Sequence, residues 1–381
     1  MGGSMSVPSP RSLALGLSRE KSITQNSNGS NSIPAVPLPL PIPVHVQVPN
    51  APPATNNTAA CLSVDSDSDD SYWDLDVGFA PQAAVFDVTA AKTWHPNNST
   101  SGRRSVDLRE YHAIDSSDYV LPSDETEQSR VELEHYMLRH VFKNDIVCPP
   151  ARALLETTSN AKVLDVGCAK GFWLDSVQKV YPEAEYHGVV RYRRNNTRTT
   201  TGSKTGENND DNTFDYVHQR LLSAGIPKHC FVPVIAELIR VTKPGGFIEL
   251  VEADMILANM GPKSSEYNKL FHEALSVKAN FDALAGTNLS FYVKVQGKKV
   301  GKKGIRAARV PLNWNGPIGT MASGMVQEGL NALSDWLHTS FSMSRDEYQA
   351  MVAEFPSEWT EYQTVINYHV VYFQVAAGRN V

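Results

Sequence analysis

The sequence predicts an α/β domain, a doubly wound and mostly parallel sheet over residues 103–381, behind an N-terminal tail of residues 1–102. Three observations predict it. From residue 162 onward, short apolar runs of strand length alternate with stretches whose apolar residues recur at helical spacing. That β-α-β order requires a parallel sheet covered by helices on both faces. The first such strand runs into a glycine-containing turn and then a helix, the kind of strand end where open sheets bind ligands. Residues before 103 show no apolar periodicity, and order is expected to begin near Arg103.

In the tail, Ser, Asn, Thr and Pro dominate. Such a segment cannot bury enough apolar surface to offset its ordering entropy, so disorder is expected. Pro37, Pro39, Pro41 and Pro43 alternate with apolar residues, which reads as a polyproline II spacer or as a ligand for a proline-binding module. Residues 65–76 form an acidic run containing Tyr72-Trp73; it reads as solvated tail, or as a docking or phosphorylation motif around Ser66, Ser68 and Ser71. The start, Met1 to Ser6, fits an N-myristoylation pattern with Gly2 as acceptor, although short Gly/Ser starts match by chance. One acyl chain would give only weak, reversible membrane association. No apolar run approaches the ~20 residues that cross a bilayer. No two of Cys61, Cys148, Cys168 and Cys230 form a Cys-x-x-Cys pair, so no metal site is expected. A cytoplasmic or nuclear protein with free thiols is the expectation.

Within the domain, Ser123-Asp124-Glu125 opens a helix through Phe142, because an acidic first turn suits a helix N-terminus. Val131, Leu138, Val141 and Phe142 mark its apolar face, and Pro149-Pro150 closes the segment. Strands follow at residues 162–166, 186–190, 214–217 and 247–251, with helices at 171–181 and 233–241. Residues 191–213 interrupt the alternation with an irregular polar insertion where another α-β step is due. Beyond lie an expected helix over 264–285 and strand-like runs at 289–295 and 305–314. A capping box at Ser344-x-x-Glu347 and a long terminal strand over 362–375 follow.

The chemistry is expected at the end of the first strand, Val163-Leu164-Asp165-Val166-Gly167-Cys168-Ala169-Lys170-Gly171-Phe172-Trp173. Small residues allow a sharp turn and close ligand approach. The helix that follows offers free N–H groups, and Asp165 can hold the loop by hydrogen bonding. This suits a nucleoside cofactor; the alternative is an ordinary strand-to-helix turn.

Asp165 to Gly171 resembles the first motif of S-adenosylmethionine-dependent methyltransferases, Asp-x-Gly-x-Gly-x-Gly. Asp118 to Asp124, with Glu127 and Arg130, is similar to the segment before the domain in a large fungal group. That group includes regulators of secondary metabolism that act with velvet-type proteins. Residues 212–220 resemble the group's fourth-strand motif, and 237–252 its following helix and fifth strand. The resemblance implies a class I, Rossmann-like methyltransferase with S-adenosyl-L-methionine as cofactor. It implies cofactor-binding roles for Asp165, Gly167, Cys168, Ala169, Gly171 and Asp215. His218 and Arg220 would face the methyl acceptor, a small molecule or a protein, and position or deprotonate it. A regulatory protein partner is also implied.

Two departures bear on affinity. The motif's middle glycine is Ala169, which costs roughly 1–2 kcal/mol if φ is positive there. The second strand should end in an acidic residue that grips ribose hydroxyls, but here it ends Gly188-Val189-Val190-Arg191. A lost charged hydrogen bond costs roughly 1.5–3 kcal/mol. Together these weaken binding by about two to three and a half orders of magnitude, unless Glu207, Asp210 or Asp211 substitutes. The alternative function is therefore a catalytically impaired, methyltransferase-like regulatory protein. Glu249 and Glu252 end a strand near the expected cleft, for general-base work or simple solvation. Lys294, Lys298, Lys299, Lys302, Lys303, Arg306 and Arg309 form a basic run without an acid. It reads as an exposed hairpin or as an anion or nucleic-acid patch. The net charge of −6 does not favour a nucleic-acid partner.

Overall fold

The computed structural model describes residues 62–63, 92–93, 103–106, 109–112, 120–189 and 211–377. All lie in the second of two units, Asn56–Val381. The proline-dense stretch, Gly2, Val190 and residues 191–210 of the polar insertion lie outside the described residues.

Strands β1 (Leu62–Ser63), β2 (Lys92–Thr93), β3 (Arg103–Val106) and β4 (Arg109–His112) precede helices α1 (Glu125–Phe142) and α2 (Pro149–Thr157). Then come β5 (Lys162–Val166), α3 (Phe172–Val180), β6 (Glu185–Val189), β7 (Phe214–Arg220), α4 (Phe231–Val241) and β8 (Thr242–Ala253). The chain continues through α5 (Pro262–Glu273), α6 (Ala285–Lys294), β9 (Val300–Pro311), α7 (Pro317–Ala332), α8 (Ser334–Ser340), α9 (Arg345–Glu361) and β10 (Val365–Val375).

Eight strands form one sheet in the order β1-β9-β10-β8-β7-β5-β6-β2. β6, β5, β7 and β8 are parallel neighbours. β10 runs antiparallel between β8 and β9, so β9 points the same way as β8. Side chains alternate between faces with period two. Leu164 and Val217 pack under α4 and α6, while neighbours Val163 and Tyr216 pack under α2 and α3. This is the doubly wound α/β architecture read from the sequence. A third cluster joins α1, α5, α7 and α9 to β10.

Several local expectations change. Pro149 and Pro150 open α2 instead of closing a segment; proline suits a first helical turn, where its missing N–H has no partner to lose. The helix expected over 264–285 breaks after α5 into a π turn, Ala274–Lys278. Residues 289–294 are helical, not extended, because Leu289, Tyr292 and Val293 bury together at helical spacing. α7 and α8 were not anticipated; small residues such as Gly319, Ala322 and Ser323 blur their apolar pattern. The capping box at Ser344 is present.

Candidate cofactor and active site

The chain passes from β5 to β6 on one side and then crosses to β7 on the other. The switch in strand order therefore lies between β5 and β7, and a ligand cleft is expected beyond their carboxyl ends. The loop leaving β5 occupies that point. Gly167 and Gly171 have φ of 81° and 85°, and Ala169 between them has φ of 47°. The condition for strain at Ala169 is thus met. The positive φ favours glycine at 167, and a Cβ there would also push the tip of the Leu222 side chain aside, at 2.4 Å from Cδ2. The N–H groups of Gly167 and Cys168 donate to the Val189 carbonyl at 2.7 and 3.1 Å, tying the loop to the end of β6. The Cys168 thiol lies against Gly188, where a Cβ would approach Sγ to 2.7 Å. Burial, with Asp165 nearby, pushes that thiol's pKa up. α3 then starts at Gly171 with no side-chain cap, leaving its first-turn N–H groups for other partners.

Asp165 and His218 are register partners on β5 and β7. Asp165 Oδ1 lies 2.8 Å from His218 Nδ1, and both residues are buried. A carboxylate only accepts, so the hydrogen-bond pattern assigns the Nδ1 proton to His218 and leaves Nε2 as its second ring site. The imidazole stacks on Trp173, ring centroids 3.9 Å apart and planes within 4°. Trp173 Nε1 donates to the Asp145 carbonyl at 2.7 Å.

Arg220 ends β7, and two of its guanidinium nitrogens donate to His135 Nδ1, each at 3.3 Å. Burial first, then the charges of Arg220 and Arg139, hold the His135 pKa down at about 3, so this imidazole is neutral. Its Nε2 stands 3.8 Å from Asp145 Oδ1, too far for a hydrogen bond, and both atoms are buried without a hydrogen-bond partner. Burial raises the Asp145 pKa, against the pull of Arg139. Asp145, Arg139, Asn144, His218, Arg220 and Glu249 line a narrow cleft with room for about one water, together with Leu138, Phe142, Val147 and Val251.

The structure thus gathers Asp165, Gly167, Cys168, Ala169, Gly171, His218 and Arg220 at one end of the sheet. It does not bring Asp215 there. Asp215 sits at the amino end of β7, where its carboxylate accepts from Lys162 N–H at 2.8 Å and from the Lys243 ammonium at 2.7 Å. Strand direction alone removes it from the cofactor set. Glu249 and Glu252 are neither solvated nor free. Glu249 accepts from the N–H groups of Val147 (3.2 Å) and Cys148 (2.6 Å), and Glu252 from those of Leu222 (2.8 Å) and Ser223 (3.2 Å). Glu249 thus pins the segment whose Val147 lines the cleft, and Glu252 pins the turn after β7 whose Leu222 packs on Gly167. Trp173, His135 and Asp145 were missed as site residues. His135 gave no local signal: with Glu127 and Glu134 it lies on a face of α1 that only the fold buries.

Among the described residues no helix is long and apolar enough to cross a membrane. No family model matches the chain. Sequence relatives exist. A secondary metabolism regulator laeA of Coprinopsis cinerea is 32% identical over 146 residues, which is 36% of this chain and 36% of that protein. N-methyltransferase sirN of Leptosphaeria maculans is 23% identical over 251 residues, 61% of this chain and 84% of that protein. An uncharacterized methyltransferase of Schizosaccharomyces pombe is 31% identical over 175 residues, 40% of this chain and 54% of that protein. This chain therefore spans about a third to a half of the first and third of these relatives. A solved phosphoethanolamine N-methyltransferase 2 of Haemonchus contortus, in complex with S-adenosyl-L-methionine, is 12% identical and covers 70% of this chain and 62% of its own at a TM-score of 0.31.

Proposed function

We propose that this chain is an S-adenosylmethionine-dependent methyltransferase acting on a small molecule or a protein. The observation that carries the reading is the loop at the topological switch point: three positive-φ residues over a buried Asp165–His218 pair, entering an uncapped helix. The named relatives, two of them called methyltransferases and one a secondary metabolism regulator, support it. A regulatory protein partner and a cytoplasmic or nuclear location belong to the same reading and rest on the resemblance to such regulators.

The left-handed turn of residues 167–171 and the uncapped first turn of α3 support the reading, because their main-chain groups would hold the cofactor's amino-acid and ribose end. When bound, the cofactor supplies an electrophilic methyl group on a sulfonium. The protein's share is alignment of the acceptor more than acid–base catalysis. Asp165 fixes the His218 ring through Nδ1 and leaves Nε2 to take the acceptor's proton. The Trp173 face keeps that ring from rotating, and the Arg220–His135 pair closes the far side of the cleft.

Calorimetric titration of S-adenosylmethionine into the full chain tests this. A micromolar dissociation constant would show that Ala169 and the acid-free end of the second strand are tolerated; measurable binding should weaken at least about tenfold with Gly167→Val and stay unchanged with Asp215→Asn. No heat of binding from folded protein would leave a binding or regulatory scaffold in place of an enzyme.

A further inference from the structure

The basic run lies away from the cleft, on the outer edge of the sheet. β9 pairs with β10 along one side. On its other side, among the described residues, β1 pairs with it antiparallel, Leu62 opposite Ala307 and Ser63 opposite Arg306. Lys298, Lys299, Lys302 and Lys303 are exposed in and just before this strand. Residues 294–309 contain seven cations and no Asp or Glu. They form the end of α6, a 3₁₀ turn at Gly297–Lys299 and an edge strand, not a hairpin.

The chain leaving β1 is the acidic run. Val64 is followed by Asp65, Ser66, Asp67, Ser68, Asp69 and Asp70. Residues 65–76 lie outside the described residues; were the β1–β9 register to continue, Ser66 would lie opposite Lys303 and Asp67 opposite Lys302, with Asp65 and Asp69 diagonal to Lys302. Opposite charges directly across an antiparallel pair attract, and like charges there repel. We propose that the acidic segment, residues 65–76, docks along the lysine-bearing edge of β9 as a continuation of β1. Lysines on an open edge also discourage strand addition by foreign chains, and they attract the phosphates of nucleic acids. The tethered segment outcompetes both because it starts two residues from an existing pairing and meets the edge at high effective concentration. Phosphate added to Ser66 or Ser68 strengthens the contact, since each would face or flank Lys303.

Amide hydrogen exchange on the full chain, with zero-length carbodiimide cross-linking, tests the proposal independently of any enzymatic activity. At about 20 mM salt, amides of residues 300–305 are expected to exchange at least about threefold more slowly than at about 500 mM. The D65N/D67N/D69N/D70N variant, and separately K302E/K303E, should show the fast rate at both salts, while Ser66→Glu slows exchange further. Cross-links should join Asp67, and the flanking Asp65 and Asp69, to Lys302 within one chain. Equal exchange in wild type and the neutralised variant at low salt overturns the proposal. So do cross-links found only between molecules, and so does protection that requires an added DNA duplex, which would assign the lysines to nucleic acid.

Discussion

The two ends of the β5–β7 pair are built differently. At the amino end every strong group meets a neighbour. Asp215 takes the Lys162 N–H and the Lys243 ammonium, Lys162 also approaches Glu185, and Asn212 and Thr213 donate their N–H groups to the end of α4. At the carboxyl end three of five loop residues hold positive φ, and Leu221, just past β7, holds a fourth. His135 Nε2, Asp145 Oδ1 and Gln219 Oε1 are buried there without hydrogen-bond partners. The amino end also has left-handed residues, Asn160 and Asn212. Asparagine tolerates that conformation and Ala169 and Leu221 do not, so the two strands begin in a satisfied end and finish in a strained one. Strain and unmet polar groups persist where the surrounding fold over-determines them, and they gather at ligand sites.

Substitutions can sharpen this contrast. The largest effect is expected from Glu249→Ala, which strands the buried N–H groups of Val147 and Cys148 and loosens the cleft wall. About 3 kcal/mol of stability should be lost in urea unfolding, with Glu249→Gln costing less because its amide oxygen still accepts. Next comes Glu252→Gln, read against pH. Burial raises the Glu252 carboxyl from 4.5 to about 7, so the folded chain binds that proton more tightly than the unfolded one. Between about pH 4.5 and pH 7 the folded state holds more protons, and its stability falls as pH rises, by up to about 3 kcal/mol. The glutamine variant should flatten that slope, and an unchanged slope would show that Glu252 is not its source. The smallest effect is Ala169→Gly. Relief of about 1–2 kcal/mol at positive φ, offset by the chain entropy of glycine, should raise stability by up to about 1 kcal/mol in thermal unfolding. A loss would mean that the Ala169 methyl group packs usefully.

Much of the contrast was legible in the sequence, and the limits have physical causes. β5 and its loop stood out because Val163, Leu164 and Val166 read as a short strand buried on both faces and run directly into a glycine-containing turn. α1 was legible at its ends, where Asp124 caps the Glu127 N–H, but not in its buried face. Glu134 and His135 look like surface residues until Tyr368 and Arg220, distant in sequence, arrive to bond them. Asp215 entered the cofactor set through resemblance, while the direction of β7 sends its carboxylate the other way. The roles of Glu249 and Glu252 depend on backbone N–H groups some 100 and 30 residues away in the chain, and no local pattern encodes those.

Cys168 carries one more consequence. Its sulfur is sealed between the loop and Gly188, and the other described cysteines, Cys148 and Cys230, are buried too. An alkylating reagent can reach Cys168 only when the loop lifts off β6. The labelling rate at that one sulfur is therefore a clock for loop opening. A molecule that settles on the loop will slow the clock, so the site can be screened for ligands before any methyl acceptor is known.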